Sequence, residues 1–328
     1  MLLTLTATAN DDGRRLDRIL RKALRELPLS AIHRLIRKGA VLVDGKKAAP
    51  DYLIHSGQTI MVNLSTAVIS DPAPGREFAR DQSKLEILYE SSEVLILNKP
   101  AGITVHGRGS DGAFSLESQV LSYLRPKLKP SLSFRPGPLH RLDKQSSGII
   151  VFSASLEGAR IVSAMIRERR IGKFYLAIVE GKVEKPGVWK DELTRDHKKG
   201  KSSVEKAGRN FRGIIPDGPA KTALTKIHPV AVKSGCTLIL AEIITGRTHQ
   251  IRAQAAEHGH PLLGDRKYGG RPIPGASQGS EDSGFLLHAW RLEFPEDAAF
   301  PRVLEAPLPE RFRQKIRDYF GENFSLPF

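Results

Sequence analysis

His140-Arg141-Leu142-Asp143-Lys144-Gln145-Ser146-Ser147-Gly148 runs straight into Ile149-Ile150-Val151-Phe152. The apolar run, entered through a Ser-Ser-Gly turn, reads as a buried strand. Asp143 therefore sits in a loop just before a strand, with Arg141 and Lys144 as near neighbours. An ordinary aspartate has a pKa of about 3.9, and adjacent positive charge lowers it. Such a carboxylate is expected to be ionised at neutral pH and suited to act as a nucleophile rather than a general acid. Taken alone, the same stretch also fits a turn aspartate paired with Arg141 or Lys144.

Outward from this stretch, beginning near Leu85, short β-rich runs alternate with amphipathic ones. Residues 94–97, 148–152, 174–179 and 238–244 are expected strands, and 156–169 has the three-and-four spacing of a helix. There is no regular strand-helix-strand rhythm and no internal repeat. The expectation is an α+β domain around a mainly antiparallel central sheet. Several blocks recur around Asp143 in a fixed order. Asn98-Lys99-Pro100-Ala101-Gly102 and Val105-His106 lie upstream, and Lys173-Phe174-Tyr175-Leu176-Ala177 lies downstream. Then come Thr245-Gly246-Arg247-Thr248-His249-Gln250-Ile251-Arg252, Gly259-His260-Pro261, Gly264-Asp265, Lys267-Tyr268-Gly269 and Leu287-His288-Ala289.

In this order the blocks resemble those of the RluA-type pseudouridine synthases, over most of the chain after Leu85. HRLD with its Ser-Gly pair, TGRTHQIR and GHPLLGD form a highly specific combination. The one departure is Ser146, where the family usually has threonine; serine keeps the hydroxyl. The resemblance implies a pseudouridine-synthase fold and an isomerase that breaks the N-glycosidic bond of a uridine, rotates the base and rejoins it through carbon 5. No group leaves and no redox change occurs, so neither a cofactor nor a metal is implied. By the same resemblance Asp143 is the nucleophile. Tyr175 stacks on the uracil or accepts the carbon-5 proton, and Arg252 pairs with the catalytic aspartate as a bidentate cation. Arg141 fills the gap left by a flipped base and Ile251 lines the base pocket. Arg247 is the rival for the ion pair, or a phosphate ligand. Lys99, His106, His140 and His249 read as scaffold or RNA contacts.

The amino-terminal part has its own pattern. Leu16, Ile19, Leu20, Ala23 and Leu24 share a helical face from Arg14 onward, and a second helix is expected from Ser30 as N-cap to Gly39 as stop. Val41-Leu42-Val43, Asp44-Gly45 and Lys46-Lys47 read as a hairpin. His33, Arg34, Arg37, Lys38, Lys46 and Lys47 fall on its outward positions, a good rail for phosphates. This stretch resembles the S-four-type RNA-binding domain, through residues 14–20, 29–47 and 55–62. The expected organisation is this helix-helix-hairpin domain over 1–64, a linker over 65–84 that contains Asp71-Pro72-Ala73-Pro74-Gly75, and a catalytic domain over 85–328.

Composition sets the partner. Lys and Arg number 51 against 36 Asp and Glu, a formal net charge of +15. A field of that sign draws polyanions, so nucleic acid or an anionic membrane is the first partner to consider, and the resemblance implies RNA. The single cysteine, Cys236, excludes an internal disulfide and reads as a small buried hydrophobe. The acidic start without a basic leader, and the lack of an apolar run near the roughly 18 residues of a membrane span, read as cytoplasmic. No metal spacing stands out among the histidines, and nothing calls for a membrane or for more than a monomer. Gly107-Arg108-Gly109-Ser110-Asp111-Gly112 fits a dinucleotide fingerprint, but Pro100 breaks the strand before it and no acid follows at the right distance. The basic run Lys198-Lys199-Gly200-Lys201 reads as part of a long loop, either solvated or touching RNA, and Arg167, Arg169, Arg170 and Lys173, ending a helix just before Tyr175, are better placed to touch RNA.

The expected substrate is large-subunit (23S) ribosomal RNA. The amino-terminal domain and Val105-His106-Gly107 bring the RluC-like and RluD-like branches nearest. Transfer RNA is the alternative substrate, and a non-catalytic ribosome-assembly factor is the alternative role. A glycosidase would need two placed carboxylates, and one sits in these motifs.

Overall fold

A computed structural model describes residues 2–24, 27–64, 85–107, 115–128, 131–196, 201–204, 219–274 and 284–327. The linker expected over 65–84 lies outside the described residues, as do most of the glycine-rich 107–112 and residues 198–200.

The amino-terminal part runs β1 (Leu2–Thr6), β2 (Arg14–Arg15), α1 (Leu16–Ala23), α2 (Leu29–Arg37), β3 (Val41–Val43), β4 (Lys46–Lys47), β5 (Leu53–Ile54) and β6 (Thr59–Asn63). Strands β1, β6, β3 and β4 form one sheet in that order, and β2 pairs with β5. Leu16, Ile19, Leu20, Ile32, Leu35 and Ile36 close a separate apolar core with Val41, Ile60 and Val62. The spacing of these helical residues is what buries them on one face. Both helices begin elsewhere than the sequence suggests. Arg14 and Arg15 are extended and pair with Ile54 and Leu53, so α1 starts at Leu16. Pro28, not Ser30, caps α2, because proline is already fixed at an angle compatible with the helix entry. Asp44 and Gly45 both have positive φ, at 48° and 76°, the two-residue turn whose twist matches a hairpin.

The larger part runs β7 (Ile87–Glu90), β8 (Val94–Lys99), α3 (Leu116–Leu124), β9 (Ser147–Ser153), α4 (Leu156–Arg167), β10 (Gly172–Glu180), β11 (Gly187–Asp196), β12 (Lys201–Val204), β13 (Lys221–Lys233), β14 (Cys236–Ile243), α5 (Gln250–Glu257), β15 (Leu287–Glu293), β16 (Val303–Glu305) and α6 (Glu310–Phe320). A single sheet holds the strands in the order β12-β11-β13-β14-β10-β15-β9-β8-β7, with β16 beside β15. Among the described residues every pairing in it is antiparallel except β15 with β9.

Alternation along the strands sorts the core into two layers. Leu95, Leu97, Ile150, Phe152, Tyr175, Ala177, Val179, Ile239 and Ala241 pack on one face with α3 and α5. Val94, Ile96, Ile149 and Val151 pack against α4 on the other, where Leu176, Ile178 and Leu238 meet α6. Both faces of the central strands are covered, which is why 94–97 and 149–152 read as continuous apolar runs. Cys236 is fully buried.

Asp11 ties the two parts together. Its fully buried carboxylate accepts from Ser131 Oγ at 2.8 Å, Leu132 N at 3.0 Å, Ser133 N at 2.9 Å and Ser133 Oγ at 2.6 Å. Burial pushes its pKa up, but these bonds outweigh burial and hold it below the usual value. Arg14 donates to Ser133 Oγ from the same side.

Candidate active site

The loop carrying Asp143 is stitched to its neighbours by backbone bonds. Leu139 N–H donates to Val151, and Val151 N–H donates to His140 Nε2 at 3.1 Å. Burial, with the charge of Lys173, pushes His140 down to about 4, so the ring serves as a neutral acceptor. Ser146 N–H closes the turn onto Asp143 O. Lys99, at the end of β8, is fully buried and donates to Pro100 O, Ile103 O and Lys144 O at 2.7, 2.9 and 3.1 Å. Burial pushes it down to about 7 while the charge of Asp143 pulls the other way. It is scaffold, with no surface to offer RNA. Gly148 has φ of 106°, and a Cβ there would lie 2.2 Å from Ala289 O. Only glycine lets β9 run this close to β15 just behind Asp143.

Arg252, on the first turn of α5, donates from Nη1 to Asp143 Oδ2 at 2.8 Å. The bidentate partner is a different acid. Arg252 Nε and Nη2 reach Asp265 Oδ2 and Oδ1 at 2.6 and 2.8 Å, and Asp265 is only 2% exposed. The expected fork onto Asp143 is thus a single bond, because the fork itself is spent on Asp265. The guanidinium carbon lies 4.2 Å from the centre of the Phe285 ring and 4.9 Å from that of Tyr268. Burial opposes its charge, but Asp265 and then Asp143 outweigh burial and raise its pKa. A planar cation bonded at three nitrogens and packed against two rings has one orientation available.

His249 precedes α5 with a left-handed φ of 54°. Its Nδ1 lies 2.9 Å from Tyr268 Oη, and its Nε2 lies 3.7 Å from Asp143 Oδ1. Tyr268 accepts from Ser202 N–H, and burial pushes it up to about 12. Its own hydrogen is therefore left for His249 Nδ1. Burial pushes His249 down to about 4, so the ring is neutral, with its N–H on Nε2 toward Asp143.

Asp143, Arg252, Tyr175, Ile251, Arg141 and Arg247 all line one cavity of about 590 Å³ on the α5 side of the sheet. Tyr175 is 7% exposed, and its neighbours across the sheet are Ala241 and Ala289, small residues that leave room beside the ring. Burial and then the charge of Asp143 push its pKa well above the ordinary tyrosine value. The phenol keeps its proton, so it can stack or donate but is poorly placed to act as a base. Arg247 turns away from Asp143 and donates from Nε to Thr222 O at 3.1 Å. Arg141 is exposed at the cavity wall. His106 pairs instead with Glu117 at 3.1 Å.

The amino-terminal cations form a second basic area. Arg34, Arg37, Lys38, Lys46 and Lys47 are exposed, and none makes an ion pair with a described residue. His33 is half-buried and turned toward Asp17, so it leaves that set. Lys201, expected in a long loop, begins β12 and pairs with Asp196 of β11. Asp265 and Tyr268 line this cluster without a role from sequence reading, and His249, read as scaffold or an RNA contact, lies between Tyr268 and Asp143. Gly264-Asp265 and Lys267-Tyr268-Gly269 stood among the ordered blocks, and a second acid for Arg252 was the available signal.

A family profile described as RNA pseudouridylate synthase matches residues 93–257, which include Asp143, Tyr175 and Arg252. The chain belongs to that family. It is an isomerase acting on RNA, an RNA pseudouridine synthase. An S4 domain profile matches residues 14–60. Ribosomal large subunit pseudouridine synthase C of Escherichia coli strain K12 is 31% identical, covering 95% of this chain and 95% of its own. The protein of that name from Vibrio cholerae serotype O1 is 30% identical over 93% of this chain and 92% of its own. The solved structure of human RNA Pseudouridylate Synthase Domain Containing 4 shares the fold, with a TM-score of 0.57 at 24% identity over 71% of this chain and 92% of that one. No helix among the described residues is long and apolar enough to cross a membrane.

Proposed function

We propose that this pseudouridine synthase acts on specific uridines of large-subunit (23S) ribosomal RNA, with Asp143 as its nucleophile. The observation that carries the reading is the bond from Arg252 to Asp143 in a cavity shared with Tyr175 and Ile251. Relatives that span nearly the whole chain bear a ribosomal large-subunit name, which supports the substrate class. Residues 1–64 serve as the RNA-binding domain and 85–328 as the catalytic domain. Arg34, Arg37, Lys38, Lys46 and Lys47 contact phosphates.

A uridine in a folded RNA must leave its stack, at a cost of a few kcal/mol. Arg141 takes its place, since a guanidinium can stack and bond phosphate together. The uracil enters beside Ile251 and under Tyr175. The Asp143 carboxylate, oriented by Arg252, attacks the ribose as the bond from C1′ to N1 breaks. The released base turns, and its C5 bonds to C1′ as the bond from C1′ to the Asp143 carboxylate breaks and frees that carboxylate. Carbon 5 then loses its proton and N1 gains one, so substrate and product are isomers. Tyr175, as a neutral phenol, holds the ring by stacking.

A transcriptome-wide map of pseudouridine in cells lacking this gene, complemented with wild type or Asp143→Asn, tests the reading. The expected result is loss of defined 23S sites that only wild type restores. Loss confined to transfer RNA would move the substrate there, and full rescue by Asp143→Asn would make the protein an assembly factor.

A further inference from the structure

Lys173 lies on β10 two residues before Tyr175, and both line the cavity that holds Asp143. Residues i and i+2 of a strand share a face, roughly 7 Å apart. Lys173 is 8% exposed as a whole residue, and what remains open faces the cavity it lines. It has no hydrogen bond and no ion pair to a described residue. The groups that act on it are cationic or neutral: burial and the charge of Arg169 both lower its pKa, and the His140 ring beside it is neutral.

Arg169 follows α4 with a left-handed φ of 59° and reaches the same cavity wall, exposed and unpaired among the described residues. Its neighbour Arg170 shows the contrast, being spent on Asp297 at 2.6 Å. The one acid lining the cavity, Asp143, is already bonded to Arg252. Lys173 and Arg169 thus set two positive charges, neither paired to a described anion, on one wall of the cavity. An anion that arrives from outside can meet both.

We infer that Lys173 and Arg169 form a subsite for one backbone phosphodiester flanking the target uridine. The inference rests on the reading of the Asp143 cavity as the uridine site. The compact ammonium suits one phosphate oxygen, while the guanidinium can take two. Base and phosphate of one nucleotide would then be gripped from neighbouring positions on a single strand. Tyr175 takes the base and Lys173 the phosphate.

The test uses the full-length protein and a 23S fragment that wild type modifies, made with either a normal phosphodiester or an uncharged methylphosphonate beside the target uridine. Lys173→Met removes the charge with little change of volume. Its expected KM is raised roughly tenfold on the normal RNA with kcat within about twofold, and the slope of log affinity against log salt falls by about one. On the methylphosphonate RNA wild type and Lys173→Met should bind alike. Tm should hold or rise, because a partly desolvated charge with no protein partner has gone. Arg169→Gln, at an exposed position, should move KM and salt slope in the same direction and covers the case of a misfolded Lys173→Met. An equal loss for both proteins on methylphosphonate RNA, or unchanged KM and salt slope in both variants, would overturn the subsite. If wild type forms no pseudouridine on any RNA, it is the function reading that fails.

Discussion

At Arg252 one guanidinium serves two acids, Asp143 with a single bond and Asp265 with a fork. Asp265 touches no reacting atom, yet it fixes the cation that orients Asp143. Asp265→Asn keeps the shape and removes the charge, leaving Arg252 with a weaker anchor. Breaking a buried pair costs about 3–5 kcal/mol, and a large part of that should appear in urea unfolding. Turnover should fall at least roughly tenfold, with RNA affinity nearly unchanged, because misplaced positioning costs rate. A variant with wild-type stability and kcat would show that Asp265 is not the anchor. Asp143, Tyr175 and Arg252 were legible from ordered blocks that a resemblance could read. Asp265 was not, because its pairing depends on the left-handed turn at His249 that sets the direction of α5. Spacing in sequence does not encode which of two acids receives a fork.

Strand β15 lies parallel to β9 for two residue pairs, His288 with Ser147 and Ala289 with Gly148. The fully buried His288 accepts from Ser147 Oγ at 2.8 Å through Nδ1 and donates through Nε2 to Ala306 O at 3.2 Å. Burial lowers its pKa from 6.5 to about 4, against the pull of the Ala306 carbonyl. Above pH 6.5 both folded and unfolded chains hold it neutral. As the pH falls from 6.5 to 4 only the unfolded chain takes the proton, so stability drops. The full shift corresponds to about 3 kcal/mol. Unfolding free energy measured from pH 7 to 4 should therefore decline, and the decline should be shallower in His288→Gln. Parallel profiles for the two proteins would assign the acid loss to other groups. The elements themselves were largely legible: three expected strands fall within β8, β9 and β10, the fourth overruns β14 by one residue at Ile244, and the expected helix covers α4. What failed was local. Two extended arginines ahead of α1 depend on pairing with β5, which is 38 or more residues away, and a helix cap at Pro28 carries no side-chain bond for spacing to reveal.

Over the whole molecule, a net charge of +15 gathers in two basic areas, one on the amino-terminal domain and one around the cavity. Asp11 fixes that domain against residues 131–133, on the segment that leads into the Asp143 loop. Charge draws RNA of any sequence, whereas the proposed reading has the cavity demand a uridine that can leave its stack. Composition made the partner class legible, but the clamp at Asp11 was invisible because it joins residues 120 or more positions apart. The direct measurement is pseudouridine formation by purified wild type and Asp143→Asn on unmodified 23S ribosomal RNA, with RNA affinity recorded for both. The expected result is site-specific product from wild type, none above background from Asp143→Asn, and affinities within about threefold of each other. Equal product from the two proteins would contradict the assignment of Asp143 as nucleophile.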